Sequence, residues 1–402
     1  MHQAPGRRRF LSSCASLGAG WFSGCDAVPI EGNEPPLDAS PDAGIRPAPA
    51  ISLAKASFIR NIPFVGEGDP EFGVLFNQGL DARKYTDLST LESGKLDTPT
   101  DEFYVRTATP DQLDRSLPWS VRIHGLVERE RSLTLDDLTA ATRTLGPYLL
   151  ECSGNSRQAG FGLMSQARWG GIPLLELLND MPSTDPNARL LVTGFDSHSQ
   201  ASVGNRSQAG ASWIFSQEQL AKTGAFLATG MNGSQLPSDH GAPVRLFVPG
   251  WYGCCSIKWV TEIEWVADDA PATSQMQEFA ARTHQDGVPE LARQFAPAEM
   301  DTAAMPIAVE LWRIDDRELL RIVGITWGGN HAVAALEIRV GDSPWQLFDC
   351  DPSSAGPSFS LWEFVLDSPD PGTYALVLRV PDRSVRTRRL DSEFYLREIK
   401  IT

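Results

Sequence analysis

Residues 148–160 read YLLECSGNSRQAG. A Leu-rich run that breaks into Ser-Gly-Asn is the pattern of a buried strand ending in a tight loop, the usual place for a side chain presented to something outside the core. Cys152 stands at that break, between Glu151 and the turn, with Arg157 a few positions on. Taken alone the cysteine is a ligand, a nucleophile or packing, since most single core cysteines behave as small hydrophobes. Its surroundings favour chemistry. A thiolate is the soft ligand that a protein offers a transition metal, and a nearby guanidinium favours the ionised sulfur while presenting a planar fork to an anion.

From about residue 51 to 285, short strand-like runs (VRIHGLV, ARLLVTGF, VRLFVPG, KWVTEIEW) mix with short helical ones (LTLDDLTAA, PLLELLND), which predicts an α+β domain. Residues 286–305 complete a polar, Ala-rich stretch that begins near 266 and reads as a connector with one short helix. From 306 to 402, alternating apolar runs are separated by Asp, Gly, Pro and Ser clusters at spacings of roughly ten residues, the signature of a β-sandwich.

The chain has 402 residues, 42% hydrophobic and 21% charged, which is an ordinary globular composition with room for two or three domains. A formal net charge of -16 argues against nucleic acid as a partner and suits a basic protein partner better. Residues 1–24 carry Arg7, Arg8 and Arg9 ahead of a mildly apolar stretch that ends at Phe22-Ser23-Gly24-Cys25. This resembles a twin-arginine export signal joined to a lipoprotein processing box. The resemblance implies a folded, cofactor-loaded protein exported to the periplasm and tethered through a lipid on Cys25. Residues 25–50, rich in Pro, Ala and Asp, are expected to form a disordered linker. Of the six cysteines, Cys254 and Cys255 are adjacent, so no disulfide framework is expected.

Three ordered segments, ECSGNSR (151–157), ARWGGIPLLELL (167–178) and HGAPVRLFVPGWYGCCSIKWVTEIEW (240–265), resemble the sulfite oxidase family of molybdenum enzymes. GLDARKYTDLSTL and TPTDEFYVRTATP upstream, and GITWGG downstream, extend the resemblance over about residues 70 to 400. It implies an α+β (mixed) molybdopterin-binding domain of sulfite oxidase type, followed by an immunoglobulin-like β-sandwich of the kind that supports a homodimer. The implied cofactor is molybdenum-molybdopterin. Cys152 falls at the single protein ligand to the metal, and Arg106 and Arg157 at active-site arginines that hold an oxyanion by charge-assisted bonds. Ser256 and Lys258 fall where the family contacts the pterin and its phosphate, and Asn155, His240 and Arg245 at positions lining the cofactor cleft. Trp169 and Trp259 read as core aromatics.

Several positions depart from the family pattern. Thr107 and Ala108 follow Arg106 where Asn-His is usual, Trp213 stands at an expected tyrosine, Cys255 replaces an arginine, and REIKIT lacks an Arg-bearing terminal motif. The implied pocket is therefore less cationic, which lowers the expectation for sulfite without touching that for molybdenum. The resemblance implies oxygen-atom transfer to or from a small oxyanion or sulfoxide-type substrate. With no Cys-x-x-Cys-His or iron–sulfur spacing in the sequence, electrons are expected to pass to a separate partner such as a cytochrome c. The rival reading is a catalytically silent molybdopterin-fold binding protein at the cell surface, against which retention of Cys152 argues. A zinc enzyme ranks below both, because the six histidines show no paired ligand spacing.

Overall fold

Strand Arg143–Glu151 pairs antiparallel with Met164–Pro173, Glu151 lying opposite Met164, so the chain between them forms one loop that begins at Cys152. The register slips between Leu145 and Tyr148, where Gly146 takes a φ of 74° and Pro147 lacks an N–H to donate. Met164–Pro173 pairs in turn with Phe226–Met231, which also meets Ser234–Gln235 and Arg245–Phe247. A second sheet runs in the order Ser212–Phe215, Arg189–Gly194, Val260–Val266, Ser120–Gly125, Arg131–Thr134. Its Val260–Val266 to Ser120–Gly125 pairing is parallel and the rest is antiparallel. The strand-like and helical runs read from the sequence all fall on elements, including helices Leu135–Ala140 and Leu174–Leu177. Leu135–Ala140 starts with a reciprocal Thr134–Asp137 capping box, which satisfies backbone donors that a short helix otherwise leaves bare.

This computed structural model describes residues 51–114, 116–195, 211–329, 332–350 and 356–402. The chain divides into Met1–Asp38 and Ala39–Thr402, and every described residue belongs to the latter. The export leader, Cys25 and the linker to residue 50 lie outside the described residues. No helix among the described residues is long and apolar enough to cross a membrane.

The carboxyl-terminal part forms two further sheets. One is Ser57–Asn61, Ala303–Ile314, Arg317–Gly328, Gly356–Asp367; the other is Gln346–Asp349, Ala335–Val340, Gly372–Arg379, Arg397–Ile401, Phe64–Val65. Two sequence boundaries need correction. Ser57–Asn61 and Phe64–Val65, assigned to the first domain, are strands of these last sheets and pair with Ala303–Ile314 and Arg397–Ile401. The pairing is non-local, and nothing in residues 57–65 announces it. The connector is not loose either: Met300 donates to Gly250, Tyr252 to Ala298 and Thr302 to Arg386, and strand Ala303–Ile314 begins inside residues 286–305. Ala298, Met300, Ala303, Ala304 and Met305 in it are buried all the same.

One hydrophobic cluster crosses the boundary, joining Leu149, Phe161 and Met164 to Ile325, Trp327, Phe359, Ile399 and Tyr395. Phe359 donates its N–H to Gln166 Oε1 at 2.7 Å, and Arg397 grips Glu67 through two bonds of 2.8 and 2.7 Å beneath the Phe64 ring. A continuous core of this kind fixes the orientation of the two parts, so the Cys152 loop is held from both sides.

Candidate active site

The Cys152 turn is built by backbone bonds. Cys152 donates to Leu163, Asn155 donates to the Cys152 carbonyl, and Leu163 donates to Asn155 Oδ1 at 3.0 Å. Among the described residues Cys152 Sγ receives only the Gly154 N–H, at 3.4 Å, and the thiol is free and buried. Behind it Glu151, 1% exposed, accepts from Trp327 Nε1 at 2.9 Å and Tyr395 OH at 3.1 Å, with Arg389 Nη1 3.8 Å away. The sulfur is thus mounted on a carboxylate anchored in the carboxyl-terminal sheets.

In front of the sulfur opens a cleft with ≈ 820 Å³ of empty space including its mouth. It is lined by Cys152, Arg106, Thr107, Tyr104, His240, Arg245, Ser256 and Lys258, and also by Gly253, Cys254, Gln275, Glu278 and Phe279. Gly253 is needed where it is: a Cβ there would meet Tyr104 Oη at 3.0 Å and the Glu151 carbonyl at 3.2 Å.

Arg106 lies on the short strand Val105–Arg106 across from Arg83, and its Nη1 donates to the Leu80 carbonyl at 2.7 Å. Burial pushes the Cys152 thiol above its usual pKa, and Arg106, the Gly154 N–H and Arg83 pull against that rise. A bound cation is what completes the stabilisation of a thiolate here. Lys258 Nζ donates to three carbonyls, those of Asp239, Thr107 and Arg106, and so braces the backbone of the Arg106 strand. Thr107 sits at a φ of 76°, a strained position for a β-branched residue, and the Lys258 bond to its carbonyl helps hold it there.

Arg245 is buried and has no carboxylate partner among the described residues. Its Nη1 and Nη2 donate to the carbonyls of His240 and Ser256, and its Nε has no partner among the described residues. Burial lowers its pKa to about 10. Ser256 Oγ accepts from the Val248 N–H at 3.1 Å, which locks the loop that carries Lys258. His240 Nε2 sits 3.3 Å from the Thr100 carbonyl, so that nitrogen is the protonated one. Burial first, then Lys258 and Arg245, lowers the His240 pKa to about 3, keeping the ring neutral. Between about pH 3 and 6.5 the unfolded chain therefore binds a proton that the folded one refuses, and stability falls as pH drops through that window. A His240→Gln variant is expected to lose about 2 kcal/mol less between pH 7 and pH 5 than the parent in urea unfolding. An unchanged pH slope would contradict the assignment.

The structure brings six of the residues singled out by sequence to one cleft: Cys152, Arg106, His240, Arg245, Ser256 and Lys258. Asn155 and Arg157 are not among the lining residues. The Asn155 side chain is spent inside the turn. The Arg157 guanidinium lies elsewhere, donating to Glu398 Oε2 at 2.7 Å and to the Val65 carbonyl at 3.3 Å, on strands of the last sheet. The chain turns at Arg157–Ala159 toward that sheet, which carries the fork away from the cleft. Cys255 is buried, whereas its neighbour Cys254 faces the cleft. The wall from Gln275 to Phe279, on helix Ser274–Phe279, escaped sequence reading because a short polar helix in a weakly patterned stretch gives no chemical signal; its Thr273 N-cap was the available mark.

The site fits a metal held by one soft protein sulfur and an anionic cofactor. Among the described residues no three His, Cys, Asp or Glu side chains converge on a metal position. The free Cys152 thiol and the unsatisfied Arg245 Nε are the donors that such a group would use.

Comparison with known proteins agrees. Residues 106–274 match the family described as oxidoreductase molybdopterin binding domain. A sulfite oxidase of Arabidopsis thaliana is 30% identical over 45% of this chain and 51% of its own length. The mitochondrial sulfite oxidase of Mus musculus is 25% identical over 68% and 53%. A nitrate reductase [NADPH] of Mycosarcoma maydis is 30% identical over 44% of this chain and 20% of its own length. The chain thus spans about half the length of the sulfite oxidases it matches and a fifth of the nitrate reductase. The crystal structure of the sulfane dehydrogenase SoxCD from Paracoccus pantotrophus has a TM-score of 0.59 over 77% of this chain and 78% of that one, at 20% identity, a likeness of fold.

Proposed function

We propose, from a molybdopterin-binding domain of sulfite oxidase type at residues 106–274, that the protein is an oxidoreductase that transfers an oxygen atom to or from a small substrate. Molybdenum-molybdopterin is the cofactor this domain implies; when bound it supplies two-electron redox chemistry. The observation that carries the reading is the free, buried Cys152 thiol opening into a cleft walled by Arg106, Arg245 and Lys258. In this reading Cys152 holds the metal, and Arg245 with neutral His240 receives the cofactor. Lys258 contributes through the backbone it braces, and Arg106 orients an anionic substrate. The route for electrons is a separate acceptor, a basic cytochrome c being the class that suits a chain of net charge -16.

The Arg7–Arg9 pattern and Cys25 support export by a twin-arginine route and a lipid anchor on the periplasmic side. The two apposed carboxyl-terminal sheets support an immunoglobulin-like unit suited to a homodimer. The test is to purify the protein expressed with its leader, quantify molybdenum and pterin, and survey sulfite, sulfoxides and small oxyanions with an artificial acceptor. About one molybdenum per chain with turnover is expected; zinc in its place, or no metal, overturns the reading. Arg245→Met is expected to retain less than about a tenth of the parent's molybdenum, since a buried cofactor partner is lost. Full retention in that variant would remove Arg245 from the cofactor site.

A further inference from the structure

We infer that Arg282 supplies the substrate-binding guanidinium on the Cys152 side of the cleft, the place that the sequence pattern gives to Arg157. The inference rests on the oxidoreductase reading and narrows its substrate to a small oxyanion. Gly154 marks the position: a Cβ built there would lie 3.8 Å from Cys152 Sγ and 3.6 Å from Arg282 Nη1. The sulfur and the guanidinium thus both lie beside Gly154, next to the cleft wall made by Cys152 and Phe279.

Arg282 follows helix Ser274–Phe279, whose Gln275, Glu278 and Phe279 line the cleft, and its guanidinium lies over the Phe279 ring at 5.4 Å from the centroid. Its backbone is fixed to the turn by a third arginine. Arg389 Nη2 donates both to the Arg282 carbonyl, at 3.1 Å, and to the Ser153 carbonyl, at 2.9 Å. Arg389 is itself seated over Tyr252 at 4.5 Å, which keeps this clasp in place. Among the described residues the Arg282 guanidinium makes no hydrogen bond or ion pair. All its N–H donors remain for an incoming anion, whereas Arg157 would first have to leave Glu398. Two cations, Arg106 and Arg282, then approach the sulfur from different segments. An anion with several equivalent oxygens satisfies both, and a neutral sulfoxide satisfies neither charge.

The experiment is calorimetric titration of the cofactor-loaded protein with sodium sulfate, with molybdenum quantified in each sample. Arg282→Met is expected to weaken sulfate binding about 10- to 100-fold, the loss of one charge-assisted contact, at unchanged molybdenum content. Arg282→Lys is expected to recover part of the loss, and Arg157→Met to stay within about twofold of the parent. Gly154→Ala, whose methyl meets both groups at ordinary contact distance, is expected to weaken sulfate without loss of folding. Parent-like sulfate affinity in Arg282→Met, loss of it in Arg157→Met instead, or no binding in the parent overturns the inference. Arg282-dependent sulfate binding in a protein devoid of molybdenum would sink the oxidoreductase reading and leave the anion site standing.

Discussion

Cys152→Ser is expected to fold as the parent does and to lose at least about 1,000-fold in turnover, roughly 4 kcal/mol of transition-state stabilisation. The two halves of that expectation have separate causes. Serine is smaller than cysteine and keeps the backbone bonds to Leu163 and Asn155 that shape the turn, so the change costs on the order of 1 kcal/mol of stability. What disappears is the soft donor that follows Glu151; Cys254 also lines the cleft but is not on that mount, and Cys255 is buried. Steady-state kinetics with an artificial acceptor and circular dichroism on the same sample separate the two effects. Substantial activity in Cys152→Ser would show that the sulfur is packing.

The second large effect belongs to that mount. Glu151→Ala is expected to destabilise the protein by about 3–5 kcal/mol in urea unfolding, because it strips the acceptor from Trp327 and Tyr395 and leaves Arg389 buried without its counter-charge. Burial raises the Glu151 pKa while Arg389 and three hydrogen-bond donors oppose the rise, so the site is satisfied by the whole set and by no single partner. Glu151→Gln keeps an acceptor and is expected to cost about 1–2 kcal/mol. Equal losses in the two variants would mean that charge has no part in the network. Because Arg389 also clasps the Ser153 carbonyl, Glu151→Ala is further expected to lower molybdenum content.

Much of this was legible in the chain, and the failures have physical causes. The Leu-rich run before Cys152 and the glycine-rich turn after it announced a strand end, and the elements confirm it. Strand periodicity was equally plain from Ile307 to Trp312, where buried and half-buried residues alternate along Ala303–Ile314. Pairing across the whole length was not: Ser57–Asn61 joins Ala303–Ile314 through backbone bonds that carry no side-chain code. Arg157 illustrates the limit for sites. Spacing from Cys152 fixes its place in the turn but not the direction of its side chain, and a carboxylate on Arg397–Ile401 decides that direction. Arg282 illustrates the converse, since it lies in an unpatterned segment whose backbone is tied to the Cys152 turn by Arg389, remote in sequence.

The most direct measurement is X-ray absorption at the molybdenum edge on the parent and Cys152→Ser proteins, each purified with its cofactor. One sulfur scatterer fewer is expected around the metal in the serine variant. An identical sulfur shell in both, or an absorption edge from a different metal, would contradict it.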